Sequence, residues 1–438
     1  MASMVPTAAQ LRWQELGLGV FVHFGVNTFS GLEWSDGTLP GASFDPSGFD
    51  ADNWVAAAQA AGARYLVLTA KHHDGFCLWP TETTGYSVAA SPWRDGRGDM
   101  VLEVSRACAR AGMGFGLYLS PWDRNAACYG DPEEYDDFYL RQLTELCTGY
   151  GPLMELWFDG AGSDGRSYDW DRIAAVVRQH QPEAMIFNMG HPTIRWVGNE
   201  DGLAGDPVQY VVAHTDNDQY TDAATGLGSP AYLPPECDVS IRRGWFWNAG
   251  DEAKSVEHLL AIFYRSVGMG ANLLLNLAPD RRGLIPEADR RTVDAWRAEL
   301  DRRLSGRVEA VVEHDGGGAT LTLPERVEFT HVELVEELAG GQHITRHAVS
   351  VDGREVAAGR TVGIRRIHQV EPTSGGRLRV DFSGAGARLA SACVYMGDPG
   401  AAVPRLPEGY TAPTAAPEGG AEPEGTAEPG AEPEGGIG

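Results

Sequence analysis

Between residue 17 and about residue 280, short runs of apolar residues alternate with segments in which apolar positions recur every three or four residues. Compact apolar runs bounded by turn residues predict buried strands, and the longer periodic segments predict helices packed by one face. Eight runs qualify, at 19–24, 65–70, 114–119, 153–158, 184–188, 194–197, 238–241 and 272–277. Helical spacing covers 52–61, 101–111, 132–148, 171–180, 252–268 and, after the last strand, 286–304. Eight strands with helical crossovers over this length predict a (β/α)8, TIM-like barrel across residues 1–304, an α/β fold. The repeat breaks in one place. Only His191, Pro192 and Thr193 part the fifth run from the sixth, and a parallel crossover through a helix takes about 10 residues or more. The stretch 200–235 has no clear helical period. The barrel is therefore expected to be distorted, with long loops replacing the helices after strands five and six and rimming a pocket.

Beyond residue 305 the pattern changes to short alternating runs, as at 319–323, 331–335, 377–382 and 392–395, separated by Gly-rich turns. That texture predicts an antiparallel β-sandwich over 305–400. From 401 to 438 the chain repeats Ala-Glu-Pro-Glu-Gly-like units with few apolar residues. Such a segment predicts a disordered acidic tail with no part in chemistry.

Composition narrows the class. With 438 residues, 43% of them hydrophobic, the chain can bury a large core and hold more than one domain. A formal net charge of -26 opposes nucleic acid and anionic membrane surfaces as partners. No apolar run reaches the length of a membrane span, and the oligomeric state is not legible. Met1 to Thr7 lack a basic and then apolar leader, which predicts a cytoplasmic protein, with secretion left open for a trimmed chain. The six cysteines, Cys77, Cys108, Cys128, Cys147, Cys237 and Cys393, form no CxxC pair and suit reduced, mostly buried thiols. Twelve tryptophans are many for this length; the flat, amphipathic indole packs cores and also stacks on the apolar face of a sugar ring.

The polar residues fall where the predicted strands end, and ligand-binding groups of barrels sit there. His23 follows the first run, Lys71-His72-His73-Asp74 the second, and Tyr118 and Ser120 close the third. Asp159 follows the aromatic pair Trp157-Phe158 of the fourth, Asn188 ends the fifth, and Glu200 lies just past the sixth. A metal hydrolase would need His and carboxylate ligands converging on one ion. Adjacent His72 and His73 on an extended strand would point to opposite faces, and the first strand lacks a His-x-His pair, so no metal is expected. Glycoside hydrolysis needs two carboxylates flanking the scissile bond, with neutral donors for the sugar hydroxyls, and this ring of residues has both.

Leu156-Trp157-Phe158-Asp159-Gly160, with His23-Phe24-Gly25, Glu33-Trp34, Lys71-His72-His73-Asp74-Gly75-Phe76 and Gly116-x-Tyr118-x-Ser120, resembles the α-L-fucosidases of glycoside hydrolase family 29. The resemblance runs from about Trp13 to near Tyr395. It implies a retaining exo-α-L-fucosidase without a cofactor, acting on fucosylated oligosaccharides, in which Asp159 is the nucleophile. It further implies that His23, Glu33, Trp34, His72, His73 and Tyr118 hold the sugar hydroxyls and that Trp157 contacts the ring. Arg195 to Glu200 is similar to the segment carrying the acid/base in the α-1,3/1,4-specific subfamily, which assigns that role to Glu200, with Glu236 as the alternative. The run from Asp238 to Trp245, whose Trp245 joins the substrate-binding set, and Leu275 to Gly283 are similar to the same subfamily. A barrel glycosidase for another sugar, such as an α-galactoside, and a catalytically silent carbohydrate-binding protein stay open beside this reading.

Overall fold

The computed structural model describes residues 3–163, 165–217 and 224–410. All eight predicted runs form strands: β1 (Leu18–Val22), β2 (Tyr65–Lys71), β3 (Gly114–Leu119), β4 (Glu155–Trp157), β5 (Met185–Phe187), β6 (Arg195–Trp196) and, beyond a hairpin of β7 (Val211–Asp216) and β8 (Ala224–Tyr232), β9 (Pro235–Ser240) and β10 (Asn272–Asn276). The barrel strands hydrogen-bond in the order β5-β4-β3-β2-β1-β10-β9-β6. A single parallel bridge from Phe187 to Ile194 joins the two ends, so the barrel is nearly closed. Around it lie α1 (Ala8–Gln14), α2 (Val26–Ser30), α3 (Ala51–Ala61), α4 (Met100–Ala111), α5 (Pro132–Gly149), α6 (Trp170–His180), α7 (Val256–Arg265) and α8 (Glu287–Arg303).

The helices start where the sequence offers a cap. Asp50, Asp99, Asp131, Asp169 and Ser255 each accept a hydrogen bond from a backbone N–H in the first turn of α3 to α7, satisfying donors that the helix itself cannot. As expected, no helix follows β5: Asn188 and Gly190 take left-handed conformations (φ 61° and 68°) and the chain turns straight back into β6. After β6 the structure adds the β7–β8 hairpin, which the sequence pattern does not reveal. β8 reads Ala-Thr-Gly-Leu-Gly-Ser-Pro-Ala-Tyr, and its Gly and Pro mask the strand signal.

Side-chain alternation along the strands makes two cores. Val20, Leu66, Leu68, Leu117, Leu156, Ile186 and Leu275 point outward to the helices. Phe21, Tyr65, Val67, Tyr118, Trp157, Phe187 and Leu274 point inward and fill the barrel, with Trp13 of α1 joining this inner cluster. Packing inside is tight enough that a Cβ on Gly19 would come within 2.4 Å of the Tyr65 ring.

The C-terminal strands β11 (Arg307–Glu309), β12 (Val311–Asp315), β13 (Gly318–Glu336), β14 (Arg346–Val351), β15 (Arg354–Gly359), β16 (Arg366–Ser383) and β17 (Leu389–Tyr395) form one hydrogen-bonded antiparallel sheet. The sequence predicts a sandwich there. The antiparallel arrangement is present, and the sheet runs through two long strands, β13 and β16, whose pairing shifts register between Thr322 and Val327 and between Phe329 and His331. It encloses its own apolar core around Phe329, Leu334 and Val380. Polar contacts tie it to the barrel: Arg366 to Asp206 at 2.7 Å, Tyr264 to His331 at 2.8 Å and the Gly363–Ile364 turn to Tyr210. Of the expected acidic tail, residues 411–438 lie outside the described residues. Residues 401–410 pack on the barrel, where Arg303 donates to the Ala402 carbonyl at 2.8 Å and the Tyr410 ring meets His258.

Candidate active site

One cavity of about 270 Å³ opens where the barrel strands end, and it gathers most of the predicted site. β1 delivers His23, β2 delivers His72 and His73, β3 delivers Tyr118, and β4 delivers Trp157 and Asp159. The loop after β1 brings Glu33 and Trp34, the loop after β6 brings Glu200, and the loop after β9 brings Trp245.

Asp159 is held from two sides. Its Oδ1 accepts from the Ala161 N–H at 2.9 Å and its Oδ2 from the Tyr118 hydroxyl at 2.9 Å. His73 Nε2 stands 3.5 Å from Oδ2. Gly160 is required by a close approach, since a Cβ there would lie 2.4 Å from the Asn217 carbonyl oxygen. Phe158 faces the other way, against Tyr139 and Trp170, while Trp157 stacks on Phe187 with ring centres 3.7 Å apart and forms a wall of the cavity.

The two adjacent histidines both face the cavity, contrary to the expectation that they would diverge. β2 ends at Lys71, and its pairing with β3 shifts register between Thr69 and Lys71, so strand alternation no longer governs residues 72 and 73. Their rings lie 4.2 Å apart. Burial pushes the His23 imidazole down to about 3, against the pull of its Asn276 bond. Burial likewise lowers His73 to about 4, offset in part by Asp159, and holds His72 well below the ordinary histidine range. All three rings are therefore neutral at neutral pH, and the His73–Asp159 contact is not an ion pair. Among the described residues no group of three or more His, Cys, Asp and Glu is disposed to hold a metal ion.

Glu33 spends one oxygen on scaffolding. Its Oε2 accepts from the Trp245 and Phe246 N–H groups at 2.8 and 3.3 Å, tying the Trp245 loop over the pocket, and burial raises its carboxyl above the usual range. Trp34 is half exposed at the mouth, edge-on to His73 and Trp122. Glu200 receives the Trp245 indole N–H at 3.4 Å and is partly open to the cavity.

Glu236 is absent from the cavity lining. It lies fully buried inside the barrel beneath Trp157, accepting from the Tyr65 hydroxyl at 2.5 Å and the Trp157 indole N–H at 3.0 Å. Burial, and then the charge of Glu236, drives the neighbouring Glu155 well above the usual carboxylate range, and burial raises Glu236 as well. Lys71 also turns away, into a buried ion pair with Asp123 at 2.9 Å, and Asp74 accepts from Asn27 and the Phe76 N–H.

Three cavity residues carry more weight here than the sequence suggested: Asn188, Trp196 and Asp238. Asp238 accepts from the Trp196 indole at 2.6 Å, and burial, then the charge of Glu200, raises its carboxyl well above the ordinary value. The alternation Glu236, Asp238, Ser240 along β9 was the available signal, because period two puts all three on the inner face.

A nearly closed parallel barrel whose strand ends bring carboxylates, neutral histidines and tryptophans into one cavity defines a barrel of the glycoside hydrolase class. The profile of the α-L-fucosidase family matches residues 34–297. The chain belongs to that family, glycoside hydrolase family 29. It is 45% identical over 301 residues to α-L-fucosidase 1 of Arabidopsis thaliana, an alignment covering 67% of this chain and 59% of that protein. The chain thus spans about three fifths of that relative. A crystal structure from Bacteroides ovatus superposes with a TM-score of 0.83 at 39% identity, covering 90% of this chain and 74% of that one. A Ruminococcus gnavus family 29 fucosidase in complex with fucose gives a TM-score of 0.77 at 27% identity, covering 91% and 96%.

Proposed function

We propose that this protein is a retaining exo-α-L-fucosidase that releases terminal α-1,3/1,4-linked fucose through a covalent fucosyl-Asp159 intermediate. The observation that carries the reading is the setting of Asp159, which borders the cavity with its two oxygens engaged by Tyr118 and the Ala161 N–H. In the first step Asp159 attacks the anomeric carbon as the glycosidic bond breaks, and Glu200 gives its proton to the leaving oxygen. In the second, Glu200 takes a proton from water, which displaces Asp159 and frees fucose. His23, His72, His73 and Tyr118 would hold the ring hydroxyls, with Trp157 and Trp245 against its apolar surface. A cavity of about 270 Å³ suits one sugar ring rather than a chain, which supports exo action. Support for fucose comes from the family and from the complex of the Ruminococcus gnavus relative. Support for the linkage comes from the segments Arg195 to Glu200 and Asp238 to Trp245, which frame the acid/base side.

The test is fucose release from an α-1,3/1,4-fucosylated Lewis trisaccharide, an α-1,2-fucosylated lactose and an aryl α-fucoside, with the product's anomer followed by NMR. Preference for the first with retained configuration is expected, and Asp159→Ala should abolish turnover while leaving the fold intact. Inverted product, or substantial activity in Asp159→Ala, refutes the mechanism; preference for the lactose refutes the linkage.

A further inference from the structure

The hydrogen bonds behind two of the pocket histidines have only one consistent direction. The Asn276 side-chain Nδ2 donates to the Trp245 carbonyl at 2.8 Å, and a carbonyl can only accept. Its Oδ1 must therefore face His23, and it does so twice, accepting the His23 backbone N–H at 3.1 Å and meeting the ring Nδ1 at 3.0 Å. Nδ1 of His23 carries the proton. Ser120 settles His73 in the same way. Its hydroxyl donates to the Trp122 carbonyl at 2.6 Å. With its single proton spent, its oxygen can only accept at His73 Nδ1, 2.7 Å away. A neutral imidazole holds one N–H, so Nε2 of each ring is bare. His72 differs, since its buried Nδ1 has no hydrogen-bond partner among the described residues.

We infer that Ser120 and Asn276 are positioning residues that lock His73 and His23 as Nδ1–H tautomers, making both rings acceptors, so that the pocket selects a sugar that donates two hydroxyl protons. The inference rests on the fucosidase reading of the cavity and deepens it. The consequence is sharpest at His73. Its bare Nε2 and Asp159 Oδ2, 3.5 Å apart, are two acceptors with no proton between them. A hydroxyl donor fills that gap; an ether oxygen or a fluorine at the same place cannot. Were the tautomer reversed, Nε2–H would donate to Asp159, using up the nucleophile's oxygen and losing the acceptor together.

Long-range proton–nitrogen NMR of the full-length enzyme labelled with 15N-histidine reads the tautomers directly, with signals assigned by their loss in His23→Gln and His73→Gln. Protonated Nδ1 and bare Nε2 are expected at both residues. In Ser120→Ala the His73 ring is released, so its Nε2 should gain the proton and KM for an α-L-fucoside should rise about 10-fold. Ser120→Thr, which keeps the hydroxyl, should return both readouts towards wild type. Free fucose carrying fluorine in place of one hydroxyl at a time should lose about 10-fold or more as a competitive inhibitor at two positions at least. A protonated Nε2 at either histidine in the wild type overturns the inference, as does Ser120→Ala with tautomer and KM unchanged, or a set of fluorinated sugars that all inhibit like fucose. If the wild type cleaves no fucoside, the functional reading fails while the nitrogen spectra still decide the tautomers.

Discussion

Replacing Lys71 with Met should destabilise the barrel by about 3 to 5 kcal/mol, the usual cost of breaking a buried ion pair by removing one partner. Lys71 is 0% exposed and Asp123 2%. The ammonium bonds Asp123 Oδ2 and Gln142 Oε1, both at 2.9 Å, and lies within 5.8 Å of the ring centres of Tyr135, Phe138 and Tyr139. Methionine fills the same space but leaves Oδ2 of a buried carboxylate unpaired; only Oδ1 keeps its partners, the Asn125 and Ala126 N–H groups at 3.0 and 2.8 Å. That loop also carries Trp122 against His73 and Arg124 onto the Ser35 carbonyl, so activity should fall with stability. At about 2 °C per kcal/mol for a large domain, the melting temperature should drop by roughly 6 to 10 °C. The double variant Lys71→Met/Asp123→Asn removes the stranded charge and should recover at least half of the loss. Calorimetry on the three proteins decides it. A single variant within about 1 kcal/mol of wild type, or a double variant worse than the single, would refute the reasoning.

Glu200→Gln should lower kcat severely on a fucosylated oligosaccharide and far less on an aryl fucoside with an acidic phenol, because a good leaving group needs little protonation; equal losses on both would remove Glu200 from the acid role. Gly160→Ala should cost most of the activity, since its Cβ would meet the Asn217 carbonyl at 2.4 Å and push the Asp159 turn aside; near-wild-type rates would show that the loop yields freely. Stability should fall as pH drops below about 6.5. An unfolded imidazole protonates there, whereas His73 stays neutral to about 4 and His23 to about 3. The contribution is complete above 6.5 and lost on the way down, about 2 kcal/mol per histidine at pH 5. Denaturant unfolding at pH 7 and pH 5 should show a smaller decrease in His23→Gln than in wild type, and an identical decrease would refute the burial argument.

The positions of the eight barrel strands, the missing helix after β5 and the gathering of His23, His73, Tyr118, Asp159 and Glu200 at strand ends were all legible in the chain. An apolar run between turn residues reports burial of its own residues, and the residue that leaves such a run in a parallel barrel must lie at the ligand-binding rim. These are local properties, carried within about ten positions. Tertiary structure decided what local pattern leaves open. Glu200 and Glu236 are both carboxylates near a strand, yet one opens on the cavity and the other is sealed beneath Trp157 by bonds from residues 79 and 171 positions away. Lys71 and His73 leave the same strand end, and only the register shift against β3 sends one into a buried ion pair and the other to Asp159. The β7–β8 hairpin takes its strand character from pairing rather than from its Gly- and Pro-rich residues. Whether a polar group acts or braces depends on which atoms surround it, and those atoms come from distant parts of the chain that only the folded barrel brings within reach.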